Sequence, residues 1–303
     1  MQELEARGNE NTVALAPAGR IQLTSEGARR RRWRRVLHNR NLMIGLSMLT
    51  VLILVAIFAS VIAPFDPIAQ DYSATQLPPS RSHLFGTDNF GRDIFSRVVY
   101  GTRIDLRVGV ISTIPPFIIG ILLGTIAAYY AGWIDALVMR LVDIVQAFPF
   151  IVLIIAIVAV LGPGLTNMYI AVALIAWIVY ARLIRSEILV EKNKEYVIAA
   201  KAMGGNDLRI MARHLLPNVI TSSIVFSMAD VALYIVLAAS LSFLGLGAQS
   251  PTPEWGLMIT EGKSFMTTAW WMSAIPGLAI VITGVAFSFI GDGLSDVLRP
   301  GGR

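Results

Sequence analysis

Six long apolar runs, at approximately 42–64, 106–131, 137–161, 167–187, 219–245 and 274–294, constrain this chain more than anything else in it. About 20 mostly apolar residues let a helix cross a bilayer, and a spanning segment must satisfy its backbone hydrogen bonds internally. The runs therefore predict an all-α integral membrane protein with six transmembrane helices. Charge is scarce to match, at 15% of residues against about 25% in a soluble domain.

Six spans put both termini on one side of the membrane. Lys and Arg concentrate on the cytoplasmic side of membrane proteins. Here the N-terminal tail carries about nine arginines and the region between the fourth and fifth runs about seven basic residues, whereas the loop near 246–273 has only Lys263. Both termini are thus expected in the cytoplasm. The run Arg29–Arg35, interrupted by Trp33, lies just before the first span. It fits a topology anchor drawn to anionic membrane lipid, not a nucleic-acid contact. The first span is too long for a signal peptide and is not followed by a small-residue cleavage pattern, so it is expected to stay as an anchor. The expected division is a basic tail (1–41), a first anchor (42–64), an extracytoplasmic loop (65–103) and a core of five spans (104–303) containing a cytoplasmic loop at 190–218. The chain has no cysteine, which excludes disulfides, thiol catalysis and cysteine metal sites.

The cytoplasmic loop is unusually ordered. From Glu195 to Asn218 it runs as a helix, a glycine break and a second helix. Ala199, Ala200 and Ala202 let another surface approach closely, and Gly204-Gly205 permits a sharp turn. Asn206 suits an N-cap, with Asp207 in the first turn where its charge favours the helix dipole. Pro217 should then end the second helix, because it lacks an amide hydrogen.

Ala199-Ala200, Gly204 and Leu216-Pro217 resemble the coupling loop of ABC-importer permeases, although Ile198 stands where that motif usually has glutamate. Before the second span, Gly86-Thr87-Asp88, Gly91-Arg92-Asp93, Ser96-Arg97 and Gly101 resemble the dipeptide and oligopeptide branch of that family. Leu241–Ile259 and Gly291-Asp292-Gly293-Leu294, with Asp296 and Pro300, continue the likeness. It extends from about residue 42 to 300. The resemblance implies a type I importer permease in a bacterial inner membrane, paired with a second homologous permease subunit, two cytoplasmic ATPase domains and an extracytoplasmic solute-binding protein. It also implies that Ala199, Ala200, Gly204, Asp207, Leu216 and Pro217 form the ATPase-coupling element. ATP and magnesium would be held by the ATPase partners, leaving this subunit without a cofactor. Related permeases carry nickel chelates, opines or oligosaccharides, so these remain alternative solutes.

Other features refine the expectation. Asp88, Arg92, Asp93 and Arg97 are spaced to form a local ion network in a rigid outer cap. Pro115-Pro116 and Pro149 should kink the second and third spans, and Gly120 with Gly124 offers a small face for close helix contact. Ionisable groups at membrane depth are costly and face a partner or a wet cavity. Asp143 is expected to pair with Arg140 on its own helix. Asp230 lies about eleven residues into the fifth span, roughly 16 Å along it. It is the candidate for the translocation pathway, with pairing to another subunit as the alternative. A membrane enzyme or a non-transporting scaffold is the other class of reading. The three histidines, His38, His83 and His214, fall outside the spans, so an intramembrane Ser–His pair or metal cluster is hard to build. Gly262-Lys263-Ser264 imitates the end of a phosphate-binding loop, but Leu257 occupies the position of its first glycine. No catalytic residue is expected.

Overall fold

The computed structural model describes residues 37–298. The Arg29–Arg35 run and Pro300 lie outside them. Among the described residues there are helices and turns but no strand. Helix α1 spans Arg40–Ile57 and is followed by a short α2, Ala59–Ile62. Asn39 caps α1 by accepting a hydrogen bond from the Leu42 amide. A long loop then leads to α3, Ile94–Tyr130. Helices α4, Gly132–Gln146, and α5, Phe150–Leu161, come next, followed by α6, Leu165–Ile175, and α7, Trp177–Glu191. The chain continues through α8, Glu195–Ala202, and α9, Asp207–Ile210. A π turn, Met211–Leu215, leads into α10, Leu216–Phe243. Helix α11, Trp255–Gly262, and α12, Trp271–Leu298, complete the described chain.

Among the described residues, five continuous helical stretches are long and apolar enough to cross a membrane, and α4 with α5, counted as one span, makes a sixth. That last pair is bent by 85°. The bend falls at Phe148-Pro149, where Pro149 has the extended backbone of an N-cap and α5 starts afresh. The expected kink is thus a full break. Helix α5 alone is about 18 Å long, short of the ~30 Å hydrocarbon. The pair nonetheless makes one crossing. The chain enters it beside the Tyr129 end of α3 and leaves it at Gly164, whose amide bonds Leu246 in the opposite set of loops. By contrast, α3 runs unbroken through Pro115-Pro116.

Three expectations change. Helix α3 begins at Ile94, well inside the segment assigned to the outer loop, because Asp93 caps it by accepting from the Ser96 amide and hydroxyl. Asp143 pairs with Arg182 of α7 at 2.9 Å, not with Arg140, because α4 packs against α7 and brings an opposite charge across the gap. Pro217 does not end a helix. The chain absorbs the proline with the π turn, in which the Leu216 amide reaches back to the Met211 carbonyl, a one-residue widening of the usual α spacing. The Asn218 side-chain amide and the Tyr196 hydroxyl both donate to the His214 carbonyl beside this turn.

The α3–α7 pair is the most extensive helix contact. Gly120 and Gly124 make it possible. A Cβ on either would overlap the backbone of α7 at Trp177 and Ala181, so the two helices touch backbone to backbone, as the small-residue face predicted. Apolar side chains of α3, α5, α6 and α10, Val108, Ile154, Met168 and Leu237 among them, form the central core.

Candidate coupling and translocation site

At one end of the bundle, α8, α9 and the turn between them form a protruding element. Val197 and Ala200 turn inward, into a cluster with Ile184, Ile188, Ile210 and Leu215. The outward face is apolar as well. Ile198 is 56% exposed, Leu208 70% and Met203 81%. Monomeric soluble surfaces rarely gather such residues without a partner. Ala199 is exposed beside them and Ala200 buried beneath. Gly204 makes the turn at φ +78°, a conformation that L side chains rarely adopt. Asn206 caps α9 by accepting from the Leu208 amide. Leu216 is half-buried and Pro217 exposed at the start of α10.

The element is tied to the end of α3 through one ring. The Tyr129 hydroxyl donates to Asp207 at 2.6 Å, and the Lys201 ammonium sits 4.7 Å from the centre of the same ring. Tyr129 therefore holds both sides of the Gly204 turn, α9 by a charge-assisted hydrogen bond and α8 by a cation–π contact. Lys192, in the link from α7 to α8, donates to the Ala128 carbonyl at 2.7 Å. Asp207 thus acts as a tether as well as a dipole partner. Nothing local in the sequence announces Tyr129, which lies 78 positions from Asp207.

Halfway along α10, Asp230 is 5% exposed. It accepts hydrogen bonds from Tyr180 of α7 at 2.5 Å and Tyr234 of α10 at 3.3 Å. Both of these donors belong to its own chain. Asp230 also borders a cleft of ≈170 Å³ at the α4–α5 break, lined by Phe148, Phe150, Phe226 and Leu233. The Pro149 break and Asp230, unrelated in sequence, meet there.

The opposite end is a rigid cap. Arg92 and Arg97 are almost completely buried. Arg92 donates to Asp88 at 2.6 Å and to Glu261 at 2.7 Å, and Arg97 donates to Glu261 at 3.1 Å. The expected network exists, with Glu261 of α11 added. Asp93 serves mainly as the cap of α3. Lys263 stacks over Phe243 at 4.4 Å, so the Gly262-Lys263-Ser264 sequence is used in packing. Two further carboxylates escaped notice in the sequence. Asp105 is fully buried and accepts from the Trp255 amide, while its second oxygen has no hydrogen-bond partner among the described residues. Glu254, also fully buried, caps α11 through Gly256 and Leu257 and accepts from Ser242.

Six crossings, a rigid cap at one end and a protruding, partner-ready element at the other describe a polytopic transport subunit. Residues 120–303 match the model of the binding-protein-dependent transport system inner membrane component, and the chain belongs to that family. Residues 28–79 match the N-terminal transmembrane domain of oligopeptide transport permease C. The chain is 44% identical to a glutathione transport system permease protein of Pectobacterium atrosepticum, over 88% of this chain and 89% of that one. It is 42% identical to a dipeptide transport system permease protein of Alkalihalophilus pseudofirmus, over 94% of each. A glutathione permease of Escherichia coli O6:K15:H31 is 46% identical over 88% of this chain. The resemblance to ABC-importer permeases is borne out, and with it the type I, all-α architecture. This is a multi-pass inner-membrane protein of a transport system that works with a binding protein and an ATPase.

Proposed function

We propose that this chain is one half of a heterodimeric permease that imports dipeptides, oligopeptides or similarly small peptides such as glutathione. The relatives' substrates support this reading, as does their coverage of nearly the whole chain. ATP and magnesium are bound by the ATPase partners, and no covalent chemistry takes place in this subunit. The observation that carries the mechanism is the α8–α9 element, with Ile198, Met203 and Leu208 exposed around the positive-φ turn at Gly204. An apolar knob of this kind fits a cleft on a cytoplasmic ATPase. Closure of the ATPases would move the knob, and Tyr129 and the α7–α8 link would pass that motion to α3 and α7. The cap at the other end, held by Glu261, would face the solute-binding protein.

This arrangement requires the knob in the cytoplasm, together with both termini. The native chain has no cysteine, so single cysteines label cleanly. Ser82→Cys, in the cap loop, should react with a membrane-impermeant maleimide applied to intact spheroplasts. Asn193→Cys, in the α7–α8 link, should react only after the membrane is opened. The opposite pattern would invert the orientation and remove the ATPase from the knob.

Asp230 is the pathway candidate because it is the carboxylate at the edge of the α4–α5 cleft. Asp230→Asn keeps an oxygen to accept from Tyr180 and removes the charge. Assembly with the partner permease should survive, since the polar partners of Asp230 lie in its own chain, while peptide uptake should fall severalfold. Unchanged uptake of several peptides by an intact complex would take Asp230 out of the pathway.

A further inference from the structure

We propose that a groove between α1 and α3 binds one anionic phospholipid, with an acyl chain along its apolar floor and its phosphate at Arg107. The groove has a volume of ≈510 Å³ and lies at the ends of α1 and α3 nearest the cap. Ile53 and Ile57 of α1 and Val110 and Ile111 of α3 line it, each 43–59% exposed.

Two arginines at the cap end of α3 make the groove specific. Arg103 donates to the carbonyls of Ala56 at 2.8 Å and Ile57 at 3.1 Å, satisfying acceptors that the end of α1 would otherwise leave unpaired. Its position is thereby fixed and its charge closes one end of the groove. Arg107, one turn along α3, also lines the groove, is exposed, and has no hydrogen-bond or ion-pair partner among the described residues. Asp105, between the two arginines in sequence, is buried against Trp255 and does not neutralise them.

An unpaired guanidinium at this depth is costly unless water or an anion meets it. A phosphate diester offers two oxygens to the planar fork of donors. The lipid source follows from the floor, since a soluble anion would gain nothing from four exposed aliphatic side chains, whereas an acyl chain would bury them. The preference for an anionic headgroup follows from the lining, which includes no carboxylate to receive the amine of a zwitterionic lipid.

The test uses the intact importer complex, reconstituted in nanodiscs of mixed phosphatidylglycerol and phosphatidylcholine and released for native mass spectrometry. Wild type should retain phosphatidylglycerol in preference to phosphatidylcholine. Arg107→Gln should reduce that retention about fivefold, the weight of one basic residue at an anionic membrane surface, and Arg107→Lys should restore part of it. Ile53→Trp narrows the floor without altering charge and should also reduce retention. Millimolar inorganic phosphate should not displace the lipid. Equal retention of the two lipids, or no change in both Arg107→Gln and Ile53→Trp, would overturn the site. Displacement by inorganic phosphate would show a soluble-anion site instead.

Discussion

Gly204→Val should abolish most transport without preventing membrane insertion. Gly204 adopts φ +78°, and a Cβ added there meets no atom within 4 Å. The damage is therefore confined to the backbone. The left-handed conformation costs an L residue about 1–2 kcal/mol, and a β-branched side chain stands at the unfavourable end of that range. The turn should open to escape the strain. Opening it separates α8 from α9, and Tyr129 can no longer hold Lys201 and Asp207 at once. Uptake, and the stimulation of ATP hydrolysis by loaded binding protein, should each fall at least about tenfold, since roughly 1.4 kcal/mol corresponds to that factor. Gly204→Asn, which tolerates positive φ better, should keep most activity. Full stimulation of the ATPase by an assembled Gly204→Val complex would remove the turn from coupling.

The largest effect on stability should come from the cap. Glu261 receives both Arg92 and Arg97, whose side chains are 0% and 1% exposed. Glu261→Ala leaves Asp88 as the sole carboxylate for two buried guanidinium groups. Breaking a buried ion pair by removing one partner costs about 3–5 kcal/mol, chiefly because an uncompensated charge stays inside. The purified complex should lose many degrees of melting temperature, or the subunit should fail to accumulate. Glu261→Gln, which keeps an acceptor and loses the charge, should fall between. A melting temperature unchanged in Glu261→Ala would mean that water reaches these arginines and the cap is not the closed unit described.

What could be seen in the sequence was local. Gly204, the Asn206 cap, the Pro149 break and the Gly120–Gly124 face each act within a few residues, and each leaves a signature of residue type and spacing. The spans were legible because the bilayer imposes a long apolar run. What escaped notice was distant or compensated. Glu261 joins Arg92 across 169 positions, and Tyr180 joins Asp230 across 50. No spacing rule reaches so far. Asp105 falls between the expected loop and the expected second span, and its partner Trp255 lies 150 positions away. Pro217 carried a valid stop signal that the π turn overrode, by widening one turn so that the Leu216 amide bonds the Met211 carbonyl.

The backbone-to-backbone seam of α3 and α7 has a mechanical meaning. Long side chains between two helices act as springs, because they can change rotamer and absorb a displacement. Gly120 and Gly124 remove those springs and set main chain against main chain. Helix α7 runs into the link that carries α8, while α3 ends at Tyr129, which grips the same element. In the proposed coupling, a push on the knob would therefore enter a stiff two-bar lever at both of its tips. Little of the stroke would be lost as side-chain slack before it reached the far half of the membrane.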